Sequence, residues 1–141
     1  MLDTNVVLDV LLDREDFITD ATSIFDMVER GVLTGLLCAT TLTTVAYLAG
    51  KVVGRRQATS QVRQLMSLFE VAPVTRAVLD GALKSKAADF EDAVLAQAAL
   101  EAGAQAVITR NLRDFVHSPV RAYTPAQWLA MDSTGKAVPG H

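Results

Sequence analysis

The sequence predicts an α/β fold, a three-layer α/β/α sandwich in which helices cover both faces of a central parallel sheet. Short apolar segments that suit buried strands alternate along the chain with longer segments of helical periodicity. The chain has 141 residues, of which 50% are hydrophobic and 21% charged, enough apolar material for one core. We therefore expect one domain over residues 1–131 and a flexible polar tail over residues 132–141.

Apolar residues at helical spacing predict seven helices. The first presents the apolar residues at positions 7, 8, 11 and 12 to the core. Asp16 or Thr19 would cap the second helix, which runs to about Arg30 and stops at Gly31. The other five predicted helices span residues 42–53, 55–69, 75–84, 89–102 and 125–131.

Short apolar segments between these helices predict the strands. The first strand is reduced to Met1 and Leu2, and the later ones span residues 32–38, 71–74, 106–109 and 120–123. In a parallel sheet of this kind the functional crevice lies at the carboxyl ends of the strands. Polar residues that follow the strands are therefore expected to converge.

Composition and charge exclude several classes of protein. A net charge of −3 excludes a globally basic nucleic-acid binder but leaves room for a local basic patch. With one cysteine, Cys38, no internal disulfide framework can form, and the two histidines are not spaced for a zinc site. The sequence has neither a P-loop nor a GxGxxG motif. It shows no membrane span and no signal peptide, so we expect a cytoplasmic protein.

Three separated aspartates are candidates for one acidic site. Asp3 follows the first strand, Asp92 lies in the Ala-rich sixth helix, and Asp114 follows the strand at 106–109. Carboxylates are the ligands that Mg²⁺ and Mn²⁺ prefer, and such ions activate water for attack on phosphorus. Asp89 shares a helix face with Asp92, although both could instead be acids at the helix N-terminus that interact favourably with the helix dipole. Asp9, by contrast, is expected to face solvent.

Cations beside an acidic metal site would hold the phosphates of a ligand. Arg110 is a candidate that could contact either a phosphate or an aspartate. Phe90 and Phe115 are expected in the core, and aromatic residues make up only 6% of the chain, so base stacking is not supported. Other candidate cations, which could equally form a solvated helix face, are Lys51, Arg55, Arg56, Arg63 and Arg113.

Taken together, these segments resemble the PIN domain family. The similar segments are Leu2-Asp3-Thr4-Asn5 with the apolar residues that follow, the helix from Asp92 to Gly103, Val107-Ile108-Thr109-Arg110-Asn111 with Asp114-Phe115, and Tyr123-Thr124-Pro125. The resemblance implies an α/β/α sandwich that cleaves RNA with the help of Mg²⁺ or Mn²⁺. It also implies a VapC-like toxin that forms homodimers and has an antitoxin protein as its partner.

The resemblance also implies roles for individual residues. Metal ligands would be Asp3, Asp92 and Asp114, with Asp89 as a fourth candidate. Asn111 would act with the aspartates in catalysis. Substrate-binding residues would be Asn5, Thr44, Thr109 and Arg110.

Two departures from the family pattern raise a second hypothesis. Many PIN domains carry a glutamate close to the position of Thr44, where this chain has no acid, so we expect weaker metal affinity or compensation by Asp89 or Glu91. Only Met1 and Leu2 precede Asp3, and so short a first strand is expected to weaken the fold and the site. The alternative function is therefore an impaired PIN-like module that binds RNA or a protein without cleavage.

Overall fold

Helices and short strands alternate along residues 1–133, the part of the chain that the computed structural model describes. The helices are α1 (Thr4–Leu11), α2 (Ile18–Glu29), α3 (Ala39–Val53), α4 (Arg55–Leu68), α5 (Arg76–Leu83), α6 (Phe90–Glu101) and α7 (Pro125–Ser133). The strands are β1 (Leu36–Cys38), β2 (Glu70–Ala72), β3 (Val107–Ile108) and β4 (Ala122–Tyr123), with a 3₁₀ helix over Leu112–Phe115. No helix within residues 1–133 has the length and apolar character needed to cross a membrane.

The strands form two parallel pairs. β1 pairs with β2, placing Leu36 opposite Glu70, and β3 pairs with β4, placing Val107 opposite Ala122. Parallel pairs need crossover connections, and helices supply them here, with α3 and α4 between β1 and β2. The alternation of strands and helices that the sequence predicted is therefore confirmed.

Residues 1–3 lie between the two pairs and join them into one layer. Leu2 forms a parallel bridge with Ile108, and its backbone N–H donates to the carbonyl oxygen of Leu36 at 3.0 Å. The N–H of Asp3 donates to the carbonyl oxygen of Ile108 at 2.8 Å. The first strand is as short as predicted, yet it occupies the centre of the sheet and delivers Asp3 to its carboxyl edge.

Helices cover both faces of this layer, which confirms the predicted sandwich. Side chains alternate across the layer, so that Leu2 and Ile108 belong to one core cluster while Met1 and Val107 belong to the other. The first cluster packs against α1, α2, α3, α4 and α7, and the second against α5 and α6. Helix α6 is buried almost all round because small alanines allow close packing on several sides.

Several helix ends differ from the prediction. The predicted caps of α2, Asp16 and Thr19, are wrong, because Phe17 precedes the helix and makes no side-chain cap. Gly31 follows α2 with φ of 76°, a conformation that favours glycine and supports the predicted stop. The predicted strand at 32–38 shortens to β1, and α3 begins three residues earlier than expected. Helix α7 extends two residues into the predicted tail, and residues 134–141 lie outside the described residues.

Candidate functional site

A hollow of about 300 Å³ lies at the carboxyl edge of the sheet and is lined by five carboxylates. The acids come from three parts of the chain: the first strand, the start of α6 and the 3₁₀ helix. They are Asp3, Asp89, Glu91, Asp92 and Asp114. The structure therefore brings together all four aspartates predicted as metal ligands, and every charged side chain in the lining is acidic. We call this cavity the acidic hollow.

Asp3 is held rigidly at the base of the acidic hollow. Its side chain is only 6% exposed; Oδ1 accepts from the backbone N–H of Thr4 at 2.8 Å, and Oδ2 accepts from the Thr109 hydroxyl at 2.9 Å. The first bond makes Asp3 the N-cap of α1. Burial raises the pKa of Asp3, the two hydrogen bonds oppose that rise, and the charges of Asp114 and Glu91 add to it.

Asp92 is the acid most affected by its neighbours. It is half-buried in the first turn of α6, and buried alanines and a valine follow it along the helix. Burial, together with repulsion from the other four carboxylates of the hollow, raises the pKa of Asp92 to about 7. The lining of the acidic hollow contains no basic side chain that could offset this repulsion. A carboxyl group with so high a pKa is typical of a functional site that takes up a counter-ion.

Asp89 lies at the start of α6 and in the lining of the acidic hollow. Its Oδ1 accepts from the backbone N–H of Asp92 at 3.0 Å, so it caps the N-terminus of α6. It is exposed and also lines the acidic hollow. Asp89 is therefore an acid at the helix N-terminus, as the alternative interpretation predicted, and its role as a metal ligand stays a prediction.

Glu91 lies next to the position where the sequence lacks an expected acid. The Thr44 hydroxyl donates to Glu91 Oε1 at 3.0 Å, from α3 across to α6. A carboxylate thus stands beside Thr44 although it comes from another helix. This contact supports the predicted compensation by Glu91. Thr44 and Asn5, both predicted substrate contacts, are half-buried and line the hollow.

Thr109 does not face the hollow in the way predicted. It is fully buried, and its hydroxyl donates to Asp3 while accepting from the backbone N–H of Asn111 at 3.0 Å. The prediction that Thr109 contacts substrate is corrected, because its position under Asp3 leaves it no access to solvent. Asn111 is exposed and does not line the acidic hollow. Its backbone, rather than its side chain, connects it to the site.

Arg110 pairs with an aspartate, the second of the two partners that the sequence allowed. Its Nε lies 2.9 Å from Asp9 Oδ2, its guanidinium stacks over the Phe17 ring at 4.1 Å, and Arg14 approaches Asp9 Oδ1 at 3.4 Å. Asp9 is 1% exposed, so the expectation that it faces solvent is wrong. Arg14 and Arg110 could have indicated that Asp9 is buried, because a buried aspartate needs cationic partners.

Two further expectations about nearby side chains have different outcomes. Phe115 is buried as predicted, but Phe90 is 50% exposed and does not belong to the core. The predicted cations of α3 and α4 are exposed and do not line the acidic hollow; Lys51 lies over the Tyr47 ring at 4.3 Å. Phosphate contacts by these residues would therefore lie outside the hollow itself.

The acidic hollow fits a hard divalent cation in its donor chemistry. Its charged donors are all carboxylates, with hydroxyl and amide oxygens from Thr44 and Asn5 beside them. An ion would also relieve the repulsion that raises the pKa of Asp92. Among residues 1–133, no three His, Cys, Asp or Glu side chains stand close enough to hold one ion together. As placed, the carboxylates within the described residues therefore do not form a ready-made site for one ion.

Known proteins share this fold. A family model described as PIN domain matches residues 1–113. Among solved structures, VapBC2 from Rickettsia felis bound to a promoter DNA fragment is 16% identical, with a TM-score of 0.69 over 88% of this chain and 96% of that chain. A toxin–antitoxin complex from Klebsiella pneumoniae is 20% identical, with a TM-score of 0.66 over 88% and 95% of the chains.

DNA-bound VapBC from Salmonella typhimurium is 20% identical to this chain, with a TM-score of 0.69 over 89% of this chain and 96% of that one. At these identities the likeness concerns the fold alone. No curated protein sequence matches the chain. The family model, however, matches by sequence and includes Asp3 and Asp92 of the acidic hollow. The chain therefore belongs to the PIN domain family.

Proposed function

We propose that this protein is an Mg²⁺- or Mn²⁺-dependent endoribonuclease that hydrolyses RNA phosphodiester bonds. The observation that carries the proposal is the acidic hollow, where five carboxylates from three separate parts of the chain meet without a cation in the lining. Such a cluster costs folding free energy through repulsion and desolvation. Binding a divalent cation would offset that cost and would give the cluster a chemical use.

Asp3, Asp92 and Asp114 would hold the ion, with Asp89 and Glu91 adding negative charge beside them. The bound ion supplies activation of water and neutralisation of the charge that develops at phosphorus. Asp3 is the fixed member of the set because both of its oxygens accept hydrogen bonds. Asp114 and Glu91 are exposed and can move towards it.

Other features around the acidic hollow would favour binding of a phosphate-bearing substrate. Thr109 is a positioning residue, since its hydroxyl fixes the Asp3 carboxylate and is itself fixed by the backbone N–H of Asn111. Helices α1 and α6 both begin at the hollow, next to Asp3 and Asp89, so their partial positive N-termini point towards it. Asn5 and Thr44 offer neutral hydrogen-bonding groups at its rim.

We further propose that the protein is the toxin of a toxin–antitoxin pair and acts in the cytoplasm. The similar structures named above, VapBC2, VapBC and the Klebsiella complex, are toxin–antitoxin assemblies, which supports an antitoxin protein as the partner of this chain. A homodimer is proposed on the surface of α3 and α4. There, Tyr47, Val52 and Met66 are large apolar side chains that are 57 to 68% exposed.

Two observations favour a second candidate, the impaired module that binds RNA or a protein partner without cleavage. Thr44 stands where the family usually has an acid, and among the residues described no three acids form a ready-made ion site. Under this hypothesis Glu91 does not replace the missing ligand. The chain would then bind RNA in the presence of Mn²⁺ and leave it intact.

A cleavage assay separates the two candidates. Purified protein would be incubated with total RNA and with labelled single-stranded RNA, in Mn²⁺ and in excess EDTA. We expect cleavage in Mn²⁺ only, and its loss in Asp92→Asn and Asp3→Asn. Asp16→Asn is the matched control, because Asp16 is exposed and does not line the acidic hollow. Cleavage by Asp92→Asn at the wild-type rate would refute the proposed site, and RNA binding without cleavage would favour the second candidate.

A further inference from the structure

A second hollow of about 180 Å³ adjoins the acidic hollow. Asp92 and Asp114 line both cavities, so the two hollows meet at these residues. The remaining lining comes from α5, the loop after it, α6 and the segment that follows the 3₁₀ helix. Any group that occupies the second hollow therefore lies directly beside the proposed reaction site.

The two cavities differ in charge. The lining of the acidic hollow contains no basic residue, whereas the second hollow contains Lys84 and His117. Both side chains are exposed, and neither takes part in the four ion pairs found within the described residues. We call this cavity the Lys84 hollow. A basic residue without an acidic partner, next to carboxylates that would hold a cation, is suited to a phosphate of the same ligand.

The loops that carry these two residues are held in place. Ser85 Oγ accepts from the backbone N–H of Ala87 at 3.0 Å, which fixes the loop from Lys84 towards Asp89. On the opposite side, Ser118 Oγ bonds to both the carbonyl oxygen and the N–H of Val120. Each side of the Lys84 hollow therefore has a local side-chain hydrogen bond to the backbone.

The size and lining of the Lys84 hollow limit what fits. Its volume is below the range of about 300–1,000 Å³ that is usual for drug-sized ligands, so it suits the sugar and phosphate of one nucleotide and not a longer ligand. Ala93, Ala96 and Phe115 also line it, but they are only 4 to 5% exposed and therefore offer no ring surface for stacking. Lys84 and His117 lie at its polar side.

We propose that the Lys84 hollow binds one nucleotide of the RNA next to the cleaved bond, with Lys84 on its phosphate and His117 hydrogen-bonded to the nucleotide. This inference rests on the proposed ribonuclease function. It assigns the RNA a path across the protein surface. The strand would run from the acidic hollow, past Asp92 and Asp114, into the Lys84 hollow. It also supplies the cationic contact that the acidic hollow lacks.

The test compares Lys84→Ala and His117→Ala with Lys86→Ala, using a labelled single-stranded RNA in Mn²⁺. Lys86 is the matched control because it is an exposed lysine of the same loop and does not line the hollow. We expect Lys84→Ala to raise KM by about fivefold with kcat close to wild type, and to lower the salt dependence of log KM by about 0.7. His117→Ala should also raise KM, and Lys86→Ala should change neither value.

The proposal fails if Lys84→Ala and Lys86→Ala change KM equally, or if neither changes it. If the wild type cleaves no RNA, the proposed function fails instead, and the same variants are then compared by fluorescence anisotropy with the same RNA in Mn²⁺. Weaker RNA binding by Lys84→Ala than by Lys86→Ala would support the Lys84 hollow as a nucleotide site without cleavage. Equal binding by the two variants, or no RNA binding by the wild type, would overturn it.

Discussion

Replacing Asp92 by Asn should make the metal-free protein more stable at neutral and alkaline pH, although Asp92 belongs to the proposed active site. Burial and four neighbouring carboxylates raise the pKa of Asp92 from 3.8 to about 7. The folded protein therefore binds the Asp92 proton more tightly than the unfolded chain does. Asparagine has nearly the same shape as a protonated aspartate and cannot ionise, so the substitution removes the penalty of the charge while keeping the packing.

The size of the effect follows from linkage between protonation and folding. Below the unfolded pKa of 3.8 both states hold the proton and there is no penalty. As pH rises from there to about 7, the unfolded chain ionises first and the wild type loses stability; above about 7 the loss is complete. A shift of about 3 pKa units corresponds to roughly 4 kcal/mol. Because Asp92 is only half-buried and water screens part of the repulsion, we expect about 2 kcal/mol.

Urea denaturation of wild type and Asp92→Asn, in EDTA and from about pH 4 to about pH 8, measures this difference. The variant should gain stability over the wild type as pH rises, with little difference at the acidic end. Asp16→Asn, at an exposed position, should follow the wild type throughout. A variant that is less stable than wild type at about pH 8, or a difference that does not change with pH, would refute the reasoning.

Three further substitutions test other contacts. Thr109→Val keeps the side-chain shape but removes a buried hydroxyl bond to a site carboxylate, so unfolding free energy in urea should fall by about 2 kcal/mol. Asp9→Asn leaves Arg110 without its charged partner and should also cost about 2 kcal/mol; no loss would mean that the pair contributes nothing. Glu91→Gln should weaken Mn²⁺ binding by about tenfold, as measured by calorimetry, while Glu101→Gln at the far end of α6 should not.

The fold was predictable because strand and helix periodicities are local properties of the chain. The alternation of apolar segments indicated both the sandwich and the edge of the sheet at which Asp3, Asp92 and Asp114 meet. The position of the first strand was less accessible. Two residues, Met1 and Leu2, carry little strand signal, and their place between β1 and β3 depends on hydrogen bonds to Leu36 and Ile108, which are distant in sequence.

The parts of the site that the sequence did not reveal are long-range contacts. Asp9 was expected in solvent because its sequence neighbours do not show that α1 is enclosed or that Arg110 reaches it. The Thr44–Glu91 bond joins two helices, so the compensation for the missing acid could be suggested but not located. Thr109 follows a strand, as a substrate contact would, but only the structure shows that its hydroxyl supports Asp3 from below.

The central claim is that the acidic hollow holds a divalent cation, and calorimetric titration of Mn²⁺ into wild type and Asp92→Asn tests it most directly. We predict saturable binding to the wild type, and binding to the variant that is lost or weakened by at least about tenfold. Circular dichroism would confirm that both proteins are folded. Equal Mn²⁺ affinity in the two proteins, or no binding to a folded wild type, would contradict the claim.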